Sequence, residues 1–181
     1  MKVLLHICCA NCALYPVKNL QKRGIDFVGL WYNPNIHPFT EYRMRLEALK
    51  ELQDAWRLEI EYKDLYGLKE FVQRVVYDEE NRCQYCYTMR LEEAARTARQ
   101  MGLDGFTTTL LVSPYQKFDK IIETGYMLQE RYDIEFMGID FREGWKEGVA
   151  ISRELGLYRQ KYCGCIYSEM ERYSRKKSRK Q

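Results

Sequence analysis

The sequence predicts an α/β domain built on a parallel sheet of about five strands in the order 3-2-1-4-5, flanked by helices. Three observations predict it. Short apolar runs of strand length alternate with amphipathic stretches of roughly 10–16 residues, the pattern of βαβ units. The chain has 181 residues, 46% of them hydrophobic, which suits one core and is too apolar for disorder. No repeat, linker or low-complexity stretch divides residues 1–170, so they read as a single domain, followed by a basic tail at 171–181. Right-handed crossovers then put the first strand in the middle of the sheet.

The elements follow from periodicity. Residues 3–7 form an apolar run of strand length. Residues 13–22 carry Leu14, Val17 and Leu20 on one helical face, ended by Gly24. Residues 25–32 read as the second strand, closed by Asn33-Pro34. Thr40 is placed to cap a helix through about residue 55, with Met44, Leu46, Leu49 and Leu52 inward. Residues 58–62 alternate as a third strand and 68–77 form a helix. A helix at 87–101 ends at Gly102. The β-branched run 105–112 reads as the fourth strand, broken by Ser113-Pro114. A helix at 118–131, a fifth strand at 134–139 and a helix at 148–155 complete the pattern.

In such a sheet, ligands bind beyond the carboxyl ends of the strands where the order reverses, here between the first and fourth. That edge receives Cys8 and Cys9 from the first strand, and Thr107 to Thr109 and Ser113 from the fourth. The helix that follows points its positive end there, which favours thiolates and other anions.

Net charge is +3, unevenly spread. Six of the 29 basic residues (Arg172, Arg175, Lys176, Lys177, Arg179 and Lys180) fall in the last ten positions, leaving 23 against 26 acids. A basic tail on a mildly acidic body suits attraction to a polyanion, although such tails also serve solubility alone. No run approaches the roughly 18 apolar residues of a membrane span, and the apolar start is too short for a signal peptide, so a cytoplasmic location is expected.

Seven cysteines form three tight groups: Cys8-Cys9-x-x-Cys12, Cys83-x-x-Cys86 and Cys163-Gly164-Cys165. An odd, clustered set in a reducing compartment points to metal or redox chemistry rather than structural disulfides. C-x-x-C alone serves zinc, iron–sulfur and thioredoxin-like sites; here it falls between two helices, which weakens the last reading. Adjacent cysteines on an extended backbone are expected to diverge, which suits the separated corners of a 4Fe–4S cluster better than one zinc. Cys8, Cys9, Cys83 and Cys86 could supply its four thiolates, with a four-cysteine zinc as the competitor. A C-x-C disulfide closes a small strained ring, so Cys163 and Cys165 suit a two-electron store, or further metal ligation. Cys12 is left to bind a second metal, face the cluster or pack. His6 reads as structural and His37 as a loop residue at the site edge. Tyr158-Arg159-Gln160-Lys161-Tyr162 sets a stacking, cationic surface beside the C-x-C.

The segments L-L-H-I-C-C-A-N-C, C-Q-Y-C-Y-T-M-R-L, F-T-T-T-L-L-V-S-P-Y and S-R-E-L-G-L-Y-R-Q-K-Y-C-G-C-I-Y-S together resemble the epoxyqueuosine reductases of the QueH family, from Lys2 to about Ser168. Asn11 departs from the family, which usually has proline there; the basic tail lies outside the shared pattern. The resemblance implies a Rossmann-like fold similar to adenine-nucleotide hydrolases. No glycine-serine phosphate loop follows the first strand, so ATP use is not implied. It implies reduction of epoxyqueuosine to queuosine at the tRNA wobble position, the last step of that base's biosynthesis. Cys8, Cys9, Cys83 and Cys86 would hold a 4Fe–4S cluster, and Cys163 and Cys165 would form the redox pair. An additional mononuclear iron and an unidentified electron donor fit the same scheme. Asp140 is a candidate proton donor or ligand, or else a helix cap. Ser113, Tyr115, Tyr158, Arg159 and Gln160 are candidate substrate contacts. The rival readings are a zinc-stabilised RNA-binding domain and a thiol–disulfide oxidoreductase.

Overall fold

Strand β1 (Lys2–His6) runs through the centre of a five-stranded parallel sheet in a computed structural model that describes residues 1–174. It pairs with β2 (Asp26–Trp31) on one side and β4 (Gly105–Thr108) on the other. β3 (Ile60–Tyr62) and β5 (Glu135–Phe136) form the edges, giving the order β3-β2-β1-β4-β5 anticipated from the crossover rule. β1 is buried on both faces, so it reads as a continuous apolar run rather than an alternating one. Leu4 faces a core with Phe106, Leu91 and Ala94, whereas Leu5 and Ile7 face another with Leu14, Trp31 and Leu49.

The helices are α1 (Ala10–Lys22), α2 (Phe39–Trp56), α3 (Leu68–Val75), α4 (Arg82–Gln100), α5 (Phe118–Tyr132), α6 (Trp145–Glu154) and α7 (Ile166–Ser174). Several differ from expectation in ways that shape the site. Thr40 does not cap α2: the helix begins one residue earlier after Pro38, without a side-chain cap. α4 begins at Arg82, so Cys83 and Cys86 lie in its opening turns, three residues apart on one face, and not between two helices. β4 stops at Thr108 because the chain tightens into a 3₁₀ turn (Thr109–Val112), started by the Thr108 hydroxyl accepting the Leu110 amide at 3.1 Å. α7 is new and runs across the boundary expected at 170/171. Arg175 to Lys180, the rest of the expected tail, lie outside the described residues. Among the described residues, no helix is long and apolar enough to cross a membrane.

Candidate functional site: a thiol-lined cavity at the β1–β4 edge

β1 delivers its thiols to the sheet's carboxyl edge, and the backbone there brings them together. Cys9 is extended at φ −172° and becomes the N-cap of α1, its sulfur accepting the Cys12 amide at 3.4 Å. The turn overturns the expected divergence of neighbours: the Cys8 and Cys9 sulfurs lie 4.0 Å apart, and the sulfurs of Cys8, Cys9 and Cys12 all lie within 4.8 Å of one another. From the 3₁₀ turn beyond β4, the Thr109 hydroxyl accepts the Cys8 amide at 3.0 Å and donates to the Cys8 sulfur at 3.2 Å. Hydrogen bonds from Cys12 and Cys9, aided by Thr109 and the Arg90 charge, hold the Cys8 thiol well below its ordinary pKa. Sharing hydrogen bonds with Cys8 and Cys9, Cys12 is raised.

The cavity above these sulfurs has a volume of about 650 Å³. Cys8, Cys12, Cys163, Ser113, Tyr115, Arg159 and Gln160 all line it, so residues from three separate stretches meet there. Gln160 reaches Cys9 with an Nε2–sulfur distance of 2.9 Å. Gln116 Nε2 donates to the Cys163 sulfur at 3.3 Å, while burial raises the Cys163 pKa against the nearby Arg90 charge. Tyr115 is 84% exposed at the rim, edge-on to Trp145 with ring centroids 5.9 Å apart.

Other candidates lie elsewhere. Cys86 and Cys165 share a small buried cluster with Phe71 and Val75, and burial pushes the Cys86 thiol up to about 12. Cys83 packs with Cys8 against the core of the β4 side. The close-set thiol group is thus Cys8, Cys9 and Cys12, with Cys83 and Cys86 outside it on the first turns of α4. All seven cysteines are free thiols, Cys163 and Cys165 included. Tyr158 is not part of the wall; its hydroxyl donates to the buried carboxylate of Glu41. Asp140 stands apart too, taking the Arg142 backbone N–H at 3.0 Å and its guanidinium at 2.6 Å. These bonds hold its carboxyl below the usual range, so it acts as a turn cap and is poorly suited to donate a proton.

The structure adds residues that spacing alone did not reveal. Arg90, one turn beyond Cys86, is buried with its guanidinium 3.0 Å from the Cys86 sulfur, and its charge also acts on Cys8 and Cys163. Arg45 donates to the carbonyls of Cys163 at 2.8 Å and Tyr162 at 3.0 Å, and pairs with buried Glu41 at 2.7 Å. An arginine four residues after a cysteine, on the same helical face, was the one legible sign of the first. With Arg159, Lys161 and Arg172 they place five cations in the wall, and no Asp or Glu is among the described residues lining it. His37 is buried and neutral: burial lowers its pKa to about 4, and its Nδ1 accepts the Ile166 amide at 3.3 Å. His6 is likewise buried, 2.8 Å from the Thr108 hydroxyl, and reads as structural.

Fold and site together define a doubly wound α/β domain whose ligand cavity is built on cysteine and lined with fixed positive charge. The chain belongs to the epoxyqueuosine reductase QueH family, whose model matches residues 3–171. It is 37% identical to the epoxyqueuosine reductase QueH of Dehalococcoides mccartyi over 98% of this chain and 97% of that one. It is 36% identical to the protein of that name from Thermotoga maritima, covering 94% and 91%. Among solved structures, a predicted subunit of tRNA methyltransferase from Methanocaldococcus jannaschii superposes with a TM-score of 0.52 over 98% of this chain and 88% of that one; at 15% identity the likeness is one of fold.

Proposed function

We propose that the chain reduces epoxyqueuosine to queuosine in tRNA, using Cys163 and Cys165 as a dithiol and a thiolate-bound iron centre. Family membership supports the reaction, and the acid-free cavity containing Cys8, Cys12 and Cys163 is the single observation that carries the site. A polyanion meets five fixed cations there, and the exposed Tyr115 with Trp145 offers the aromatic surface that unstacked bases prefer.

The donor set fits soft metal chemistry. Three buried sulfurs within 4.8 Å, one with its pKa held well below the ordinary thiol value, suit iron or zinc and exclude the oxygen ligands that harder ions need. Cys8, Cys9, Cys83 and Cys86 would hold a 4Fe–4S cluster, with Cys12 free for an additional iron, and such a centre supplies electrons singly. The protein's own groups do the rest. Arg159, Lys161 and Arg172 draw in the RNA backbone, and Tyr115 stacks against the unpaired loop. Oxidation of the Cys163 and Cys165 thiols to a disulfide releases two electrons and two protons. The epoxide oxygen leaves with them as water, and a double bond forms between its former carbons. An external donor then restores the dithiol. Gln116, donating to the Cys163 sulfur, steadies the developing thiolate.

The test is anaerobic: reconstituted protein, tRNA containing epoxyqueuosine and a reductant, followed by nucleoside mass analysis. Queuosine is the expected product. Unchanged epoxyqueuosine with protein that carries iron overturns the reading, and colourless protein with stoichiometric zinc favours a structural metal instead.

A further inference from the structure

Four carboxamide side chains line the cavity, and three are fully engaged. Asn11 gives its Nδ2 to the Tyr158 carbonyl at 2.9 Å and to Gln160 Oε1 at 2.6 Å, while its Oδ1 takes the Ser152 hydroxyl. Gln116 joins Cys163 to the Tyr87 hydroxyl, which it accepts at 2.8 Å. Gln160 joins Asn11 to Cys9. Asn35 is the exception. It is 2% exposed, and its Oδ1 is buried with no hydrogen-bond partner among the described residues. An acceptor left so costs about 1–3 kcal/mol, and folded proteins seldom carry that cost without a ligand or water to relieve it. Its place is specific: Nδ2 lies 3.6 Å from where a Cβ on Gly164 would stand, beside the C-x-C loop. The terminal torsion of asparagine is broad and two-fold, so a ligand can turn the group to present both of its polar atoms.

We propose that Asn35 reads the substrate base, pairing its carboxamide with the O6 and N1–H edge of a guanine-type ring held beside Gly164. The inference rests on the substrate reading above, because the 7-deazaguanine of epoxyqueuosine keeps that edge. Asn35 is a specificity residue here; the reacting bonds lie on the substituent at the far side of the ring. One donor and one acceptor in a plane match one carbonyl and one N–H, whereas an N1-methylated ring offers no proton and presents a methyl group in its place.

The probes are anticodon stem-loop RNAs with guanosine or N1-methylguanosine at the wobble position, bound to the anaerobically reconstituted chain and followed by fluorescence anisotropy. The wild type is expected to prefer guanosine about tenfold, the worth of one well-made polar pair. Asn35→Ala should bind both loops alike, at the weaker affinity. With epoxyqueuosine tRNA it should raise KM and leave kcat nearly unchanged. Its melting midpoint should hold, since the carboxamide supports nothing else in the fold. Asn35→Leu, nearly the same shape but with no polar atom, carries the test if the alanine variant does not fold, and it should lose the preference too. A wild type without preference, a variant that keeps it, or a clear fall in the melting midpoint of the leucine variant overturns the proposal. Wild-type protein that fails to convert epoxyqueuosine overturns the function reading instead, whatever the stem-loops show.

Discussion

The two thiol groups that reach the cavity, one through Cys8 and Cys12 and the other through Cys163, are held by different means. Cys8, Cys9 and Cys12 are placed by the main chain: the end of β1, the cap of α1 and one hydroxyl from the turn after β4. The loop of Cys163, Gly164 and Cys165 has no strand or helix of its own. It is held mainly from outside: by the Arg45 side chain on the Tyr162 and Cys163 carbonyls, the His37 main-chain amide on the Gly164 carbonyl at 2.8 Å, and the Ser168 hydroxyl on the Gly164 amide at 3.1 Å. Gly164 sits at φ +155°, where a side chain would be strained, so glycine is required there. Main-chain placement gives a rigid donor set. Side-chain placement gives a loop whose position depends on buried charge and protonation, and whose chemistry can be altered without unfolding the sheet.

That contrast predicts separable effects. The largest is on turnover: Cys163→Ser should abolish queuosine formation while iron content and visible absorbance persist, and Cys8→Ser should lose the metal. Loss of absorbance in the first variant would break the division between the two groups. Next in size, Arg45→Met leaves Glu41 buried and unpaired, a cost of about 3–5 kcal/mol, measured by denaturant unfolding. In whatever fraction folds, metal uptake at Cys8, Cys9 and Cys12 should be normal and turnover low.

pH should act on the loop in the same direction. His37 has its pKa lowered to about 4 in the folded chain, below its ordinary 6.5. The unfolded chain therefore binds the proton more readily between these values, and the stability that neutral His37 contributes is complete above pH 6.5 and lost as pH falls toward 4. A protonated Nδ1 would also confront the Ile166 amide it now accepts. Melting midpoints of the wild type should fall over that window, and His37→Gln should flatten part of the fall. Thr109→Val, on the rigid side, removes two hydrogen bonds to Cys8 and should cost about 1–2 kcal/mol, with slower alkylation of Cys8. Asp140→Asn should be the smallest, within about 0.5 kcal/mol in stability, since its partner is a single exposed arginine.

The placement of the rigid half was legible in the sequence; of the adjustable half the sequence showed the residues but not what holds them. Apolar runs gave strand order, and strand order put Cys8 at the right edge of the sheet. Thr107-Thr108-Thr109 misled only at its end, where β-branched residues suit a strand but a hydroxyl caps the 3₁₀ turn instead. The C-Q-Y-C run looked like a break between helices because it lacks apolar periodicity, yet α4 extends through it. α7 left no pattern to find, having no buried residue. Arg45 and Asn35 were invisible for another reason: one acts on residues distant in sequence and the other on an empty space, and neither leaves a mark in local spacing.

The first hydrogen bond of α1 ends on a sulfur that belongs to the site, since the Cys12 amide donates to Cys9. Whatever takes hold of that sulfur must therefore compete with, or redirect, the start of a helix that packs against β2, α2 and α6. The Cys12 amide proton becomes a built-in reporter: its chemical shift and exchange rate should register occupancy directly, with no label attached and no turnover required.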